Sequence, residues 1–326
     1  MRKTSEVYEK LYHYTTWAGL LGILQTKTLW ATHYKFLNDY SEIVLFRDKL
    51  KSWIYFYVRE AYEKKIRKSP HIEQEINQLG GLDKVIQHDT EVFVDAEYRA
   101  IGHEIYILSF CGQHQNPRIN SNGLLSQWRG YGAGGGFALV FNTQKIEEIL
   151  EIERERFQYK MMHISDLVYS DDEDKLKEEL SEDLFIIAND VERVFHDTRL
   201  SEKQKGTILK GFESFIICIS RYKHCGFSEE NEVRVVALPT VLDQDFLELA
   251  SSEGHMLKPE KERKFRNKNG ELIPYIELFN SLNIELPIEK IIVGPHKEKE
   301  NRAAALRAML RNTKIEITCS DIPFVG

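Results

Sequence analysis

Alternating apolar and polar residues divide the chain into short strand-like blocks, with stretches of three-to-four-residue periodicity between them. Leu11-Tyr12-His13-Tyr14-Thr15 opens the series as an aromatic strand that turns Tyr12 and Tyr14 one way and His13 the other. Thr16 reads as the cap of a helix over residues 17–25, where Leu20, Leu21 and Leu24 recur at helical spacing. Further short strands, rich in β-branched and aromatic residues, are predicted at 28–32, 105–110, 137–141, 163–169, 232–238, 272–278, 288–294 and 315–318. Residues 43–104 are helical in pattern, with breaks at Ser69-Pro70 and Gly80-Gly81. About 144–222 is helical again around the 163–169 strand, and 298–311 is an amphipathic helix with Ala303, Leu306 and Leu310 on one face. Asn269-Gly270 predicts a hairpin turn into the 272–278 strand. Strands recur from end to end and no repeat or low-complexity linker intervenes. The pattern therefore predicts one α+β domain over residues 1–326, with helical insertions at about 43–104 and 144–222.

Composition adds bounds. A length of 326 residues leaves two domains open, and 42% hydrophobic residues suffice for a sizeable core. A net charge of -7 argues against a surface that coats nucleic acid, though a local basic cleft stays compatible with it. Cys111, Cys218, Cys225 and Cys319 are far apart without CxxC spacing, so neither a zinc ribbon nor a disulfide framework is expected. The polar N-terminus and the lack of a long apolar run lead to an expectation of a soluble, cytoplasmic protein with no membrane partner.

Two stretches carry candidate chemistry. Residues 124–136 place Ser126, Gln127, Trp128, Arg129 and Tyr131 beside five glycines, giving stacking and hydrogen-bonding side chains next to backbone that a ligand can approach. The glycines are expected to form a loop between the 105–110 and 137–141 strands; the competing reading is a glycine-rich hairpin whose Trp and Tyr cover the core edge. A following strand excludes the phosphate-loop signatures. The second stretch ends in a strand with Glu232, Arg234 and Val236 on one face and Val233, Val235 and Ala237 on the other. A carboxylate there is costly to bury unless paired or used, and the bland alternative is a surface pair with Arg234 on an edge strand. Cys225 next to His224 has no third orienting group. The basic run 64–68 and the acidic run 171–174 read as solvated helix faces. His13 is open to two readings, a satisfied core histidine or a hydrogen-bonding group for a sugar or amide.

In order along the chain, LYHYT at 11–15, LWAT at 29–32, LND at 37–39, LSQWRGYG at 125–132, GFSEENEVR at 226–234, PYIEL at 274–278 and VGP at 293–295 resemble a bacterial domain-of-unknown-function family, number 2971. The chain departs from that pattern at Val233, where Trp is usual, and at Tyr40, where Pro often follows Asn-Asp. The family is in turn distantly similar to ADP-ribosyltransferases. That resemblance implies an ADP-ribosyltransferase-like mixed or antiparallel β core with helical insertions. It also implies a catalytic set of Glu232, His13 and Tyr14, and a dinucleotide site drawn from Thr15, Asn38, Ser109, Ser126, Gln127, Trp128, Arg129, Tyr131 and Arg234.

The activity so implied is consumption of NAD as a substrate by cleavage of its nicotinamide N-glycosidic bond, with no metal, in a toxin or an anti-phage defence effector. A carboxylate would stabilise the oxocarbenium character of the ribose, and positioning with electrostatics would suffice. The acceptor of ADP-ribose would be protein, nucleic acid or water, and a regulatory or antitoxin protein is a further expected partner. Two other classes remain: a nucleotide-sensing or partner-binding module without turnover, and a nuclease, for which the scattered acids form no compact metal constellation.

Overall fold

The computed structural model describes residues 2–37, 40–69, 71–100, 104–132, 134–169, 173–196, 202–244, 247, 256–268 and 270–323. The expected single domain meets a chain that divides into two compact units, Met1–Phe36, Ile105–Leu167 and Ser228–Gly326 in one, Leu37–Glu104 and Val168–Phe227 in the other.

The first unit is built on a sheet of β1 (Lys10–Thr15), β2 (Leu29–His33), β3 (Tyr106–Gly112), β4 (Phe137–Asn142), β5 (Tyr159–Asp166), β8 (Glu232–Pro239), β9 (Lys264–Lys268), β10 (Glu271–Leu278), β11 (Ile288–Val293) and β12 (Glu316–Cys319). Its main path runs β12-β11-β4-β1-β3-β2-β10-β9, and β8 joins β3 to β5 beside it. All pairings are antiparallel except β11 with β12. This mixed α/β architecture with a largely antiparallel sheet matches the coarse α+β expectation.

Strict alternation gives the sheet two different faces. Leu11, Leu108, Phe110, Phe137, Leu139, Phe141, Val233 and Val235 share one, with Leu20 and Ile23 of α1 (Trp17–Thr26), Ile146 and Leu150 of α7 (Thr143–Arg156), and Ala303 and Leu306 of α11 (Lys299–Met309) in the same cluster. Each such aliphatic side chain stabilises the fold by about 1.5–3 kcal/mol. Thr16 caps α1 as expected, its hydroxyl accepting from Gly19 N–H at 3.3 Å. The predicted hairpin also forms, with Lys268 opposite Glu271 and Gly270 at φ 87°.

The second unit contains α2 (Tyr40–Lys68), α3 (His71–Gln78), α4 (Leu82–Ala100), α8 (Glu173–Glu179), α9 (Ser181–His196) and α10 (Glu202–Arg221), with the two-stranded parallel pair β6 (Val168–Tyr169) and β7 (Tyr222–Lys223). Trp53, Ile54, Val58, Tyr62, Ile86, Val94, Leu184, Ile187, Phe215 and Ile219 are buried there. The breaks at Ser69-Pro70 and Gly80-Gly81 fall where predicted. The helical stretch expected from 144 differs: α7 ends at Arg156, and residues 159–166 add β5 to the sheet before the helices of this unit begin. Among the described residues, no helix is long and apolar enough to cross a membrane.

Candidate functional site

A fork in the sheet organises the candidate site. Along one edge β3 pairs with β8 continuously, from Tyr106 opposite Ala237 to Cys111 opposite Glu232. The other edge is shared: β1 holds Gly112 and Cys111 through Leu11 and Tyr12, whereas β2 holds Ile107 and Tyr106 through Thr32 and His33. A strand has only two edges, so β1 and β2 diverge over residues 108–110. Ser109 lies at that divergence and is exposed although its strand neighbours are buried.

Register decides which candidates face it. Tyr12, Cys111 and Glu232 align across three strands, and Ser109, Arg234 and Ser165 align across another three. Alternation therefore puts Tyr12, Tyr14, Ser109, Glu232 and Arg234 on one face. His13 and Thr15 point to the opposite face, since Leu11, His13 and Thr15 pair with Phe141, Leu139 and Phe137 of the main core. The expectation that His13 and Glu232 share a pocket face is corrected accordingly. His13 does something else: its Nδ1 lies 3.2 Å from the carbonyl of Ser109, at the edge of β3 where the ladder opens. A carbonyl only accepts, so Nδ1 carries the proton. The His13 ring also meets Phe110 edge-on at 5.8 Å, and burial lowers its pKa, partly opposed by that carbonyl.

Glu232 and Arg234 are 5% and 3% exposed. Arg234 donates twice, Nε to Oε1 at 2.7 Å and Nη2 to Oε2 at 3.2 Å. The surface pair on an edge strand is thus ruled out, because β8 lies between β3 and β5 and both side chains are buried. Ser165, which no sequence pattern singles out, lies opposite Arg234 on β5, and its buried hydroxyl has no hydrogen-bond partner among the described residues.

The glycine-rich stretch is a second correction. Its SQWRGY segment is a helix, α6 (Leu125–Tyr131), which follows α5 (Pro117–Asn122), while Gly134 and Gly135 form a turn ahead of β4, in keeping with the loop expected of the glycines. Trp128 is 2% exposed, donates Nε1–H to Asn122 O at 2.9 Å and meets Tyr14 edge-on at 4.8 Å. Tyr12, Tyr14, Cys111, Leu124, Ala138, Val140 and Ile292 complete this small core. Glycines on either side of the stretch make room for Trp128: a Cβ on Gly294 would stand 2.9 Å from its Cε3, and Gly123, at φ 77°, would carry one 2.5 Å from its Cζ2. Trp128 is therefore no stacking group for a ligand. Gln127 is buried too, and Ser126 Oγ is buried without a partner among the described residues. The competing hairpin reading fails for a topological reason, since β1 lies between β3 and β4.

Tyr14 is committed to the same core. Its hydroxyl accepts from Leu124 N–H at 2.8 Å, and burial drives its phenol pKa far up. Thr15 packs its hydroxyl against Gly19 of α1. Arg129 and Tyr131 are exposed on α6, and Asn38 lies outside the described residues. Of the sequence candidates, Ser109, Glu232 and Arg234 are the ones that the fork brings together on one face.

No curated protein and no solved structure matches the chain. The family whose model does match, described as Protein of unknown function (DUF2971), does so over residues 127–235, a span from α6 to β8 that includes Trp128 and the Glu232–Arg234 pair.

Proposed function

We propose that the chain binds NAD at the fork and breaks its nicotinamide N-glycosidic bond, as an ADP-ribosyltransferase-like enzyme. One observation carries this reading: a carboxylate clamped by an arginine two residues away is buried on an interior strand beside an exposed serine. Taking both charges out of water is costly, and a buried pair is by itself weak evidence of a stabilising role. Desolvated charges of that kind concentrate at functional sites.

The chemistry uses these groups directly. As the C1′–N1 bond breaks, its electron pair leaves with nicotinamide, which departs neutral, and positive charge spreads over C1′ and the ring oxygen of the ribose. Glu232 stabilises that charge and accepts a hydrogen bond from the 2′-hydroxyl. Arg234 fixes the carboxylate by its two-point contact, and the Ser109 hydroxyl hydrogen-bonds the sugar or pyrophosphate. An acceptor oxygen then attacks C1′ and releases its proton to water.

A second reading is a nucleotide-binding module without turnover. It is favoured by the engagement of both Glu232 oxygens by Arg234 and by His13 pointing to the other face. Incubating the purified chain with NAD and following nicotinamide by chromatography separates the two. The enzyme reading expects release by the parent chain and its loss in Ser109→Ala and in a Glu232→Leu/Arg234→Met variant with unchanged circular dichroism. NAD binding by calorimetry with no nicotinamide formed selects the module, and no binding sinks both.

A further inference from the structure

The sheet carries a second polar cluster on the wing of β2, β10 and β9 that runs on from β3. Trp30, Tyr275 and Arg266 share the face of Ser109 and Glu232, as the pairings Thr32 with Ile107, Tyr275 with Thr32, and Lys264 with Tyr275 establish. Trp30 and Tyr275 lie 4.4 Å apart between ring centroids at 34°, and Trp30 is 40% exposed. The guanidinium carbon of Arg266 is 5.3 Å from the Trp30 centroid and 5.9 Å from that of Tyr275. Its Nη2 donates to Thr32 Oγ1 at 3.1 Å, while its Nε–H is buried without a hydrogen-bond partner among the described residues.

Charge along the edge strand isolates this arginine. Lys264, Arg266 and Lys268 alternate on one face of β9. Lys264 is paired with Glu277 at 2.8 Å, and Lys268 stands opposite Glu271, but Arg266 stands opposite Ile273. Among the described residues no carboxylate comes within ion-pair distance of Arg266. Burial lowers its pKa, and only Tyr275 opposes that shift. A half-buried cation over two aromatic rings with no counter-charge has the makings of a site for one anion attached to one flat ring.

We propose that Trp30, Tyr275 and Arg266 form a binding site for a nucleoside monophosphate group, its base stacked on Trp30 and its phosphate on Arg266. Stacking on an exposed indole is tolerant of base identity, and guanidinium is the side chain best suited to two-point contact with phosphate. With Lys264 paired to Glu277 and Lys268 in register with Glu271, the strand face limits the site to one phosphate and disfavours a polynucleotide track, whose binding scales with the number of cations it meets. The site stands on its own geometry and does not require that NAD be cleaved at the fork.

Isothermal calorimetry of the full chain with adenosine 5′-monophosphate tests this, because that probe lacks any nicotinamide bond. The expected result is one site, at least tenfold weaker in Arg266→Gln and in Trp30→Ala, and retained in Trp30→Phe, which keeps an aromatic face. Inorganic phosphate alone should bind more weakly than the nucleotide and be affected by Arg266→Gln only. Circular dichroism and thermal midpoints check that the variants fold; should Trp30→Ala fail to fold, Trp30→Leu replaces it. Nucleotide affinity equal in all these variants overturns the site, as does absence of binding to the parent chain. Tight, steeply salt-dependent binding of a single-stranded oligonucleotide that the monophosphate cannot displace overturns it in favour of a polymer. Nicotinamide release from NAD, measured on Arg266→Gln, reports separately on the fork.

Discussion

Among the described residues of the sheet-bearing unit two ion pairs are buried, and they differ in what they join. Glu153 of α7 and Lys261, 108 residues later, are in direct contact, and both are essentially inaccessible. The same carboxylate accepts from the Tyr159 hydroxyl at 2.7 Å and from the Phe279 N–H at 3.0 Å, while Lys261 also donates to Asn280 and sits 4.0 Å from the Phe157 ring centroid. One network thus ties α7, β5, the segment before β9 and the end of β10. Glu232 and Arg234 are also buried, but the two-point contact between them joins two residues of one strand, β8. The first pair is a tether between distant segments; the contact between the second two residues is local to β8, and the exposed Ser109 beside it gives that contact a functional setting.

The largest stability effect should come from the tether. Lys261→Met leaves Glu153 buried without its cation and should cost about 3–5 kcal/mol, read as a lower denaturant midpoint with NAD affinity unchanged in the folded protein. A shift under about 1 kcal/mol would show that the network is not holding these segments. Close behind is Trp128→Ala, expected to cost about 3 kcal/mol because it empties the small core under α6. If instead stability held and nucleotide affinity fell, Trp128 would return to the site.

A buried carboxylate of a third kind sharpens the contrast. Glu97, in the helical unit, is 9% exposed and its Oε2 has no hydrogen-bond partner among the described residues. Burial, with the charge of Asp190 adding to it, pushes its carboxyl up to about 7. The folded chain therefore binds the proton more tightly than the unfolded one. The stability this contributes is fully present below the ordinary carboxylate range and is lost as pH rises through about 7, a change on the order of 3 kcal/mol. Glu97→Gln should accordingly raise the melting temperature at pH 8 and leave it unchanged at pH 4. Equal effects at both pH values would mean that the carboxyl titrates normally.

How far all this was legible in the sequence depends on the range of the forces involved. Alternation is local, so β1, β8 and the faces of Glu232 and Arg234 could be read directly, as could the Asn-Gly hairpin. The α6 helix was hidden by its glycines, although Leu124 and Trp128, four residues apart, already carry the spacing of a buried helical face. The start of β5 was masked because Tyr159-Lys160-Met161 follows a charged helix after a two-residue break. The fork was beyond reach: that β1 and β2 share one edge of β3 is settled by long-range pairing, and with it the separation of His13 from Glu232. Nor does any local signal reveal that Arg266 faces Ile273, while Lys268 faces Glu271 and Lys264 pairs with Glu277.

The smallest stability change is also the one that decides the comparison. Replacing a buried pair by apolar residues of similar volume is often neutral, because the desolvation cost disappears together with the attraction. For Glu232→Leu/Arg234→Met the expected change is within about 1 kcal/mol, with nicotinamide release abolished. The matched exchange Glu153→Leu/Lys261→Met cannot be neutral, since it strands the Tyr159 hydroxyl, the Phe279 N–H and the Asn280 amide, each of which costs about 1–3 kcal/mol when left unsatisfied in the interior. Paired urea titrations of the two double variants, with NAD turnover measured on each, test the distinction. If the β8 exchange destabilised the chain as much as the other, Glu232 and Arg234 would be structural after all, and the reading of the fork as an active site would lose the observation on which it stands.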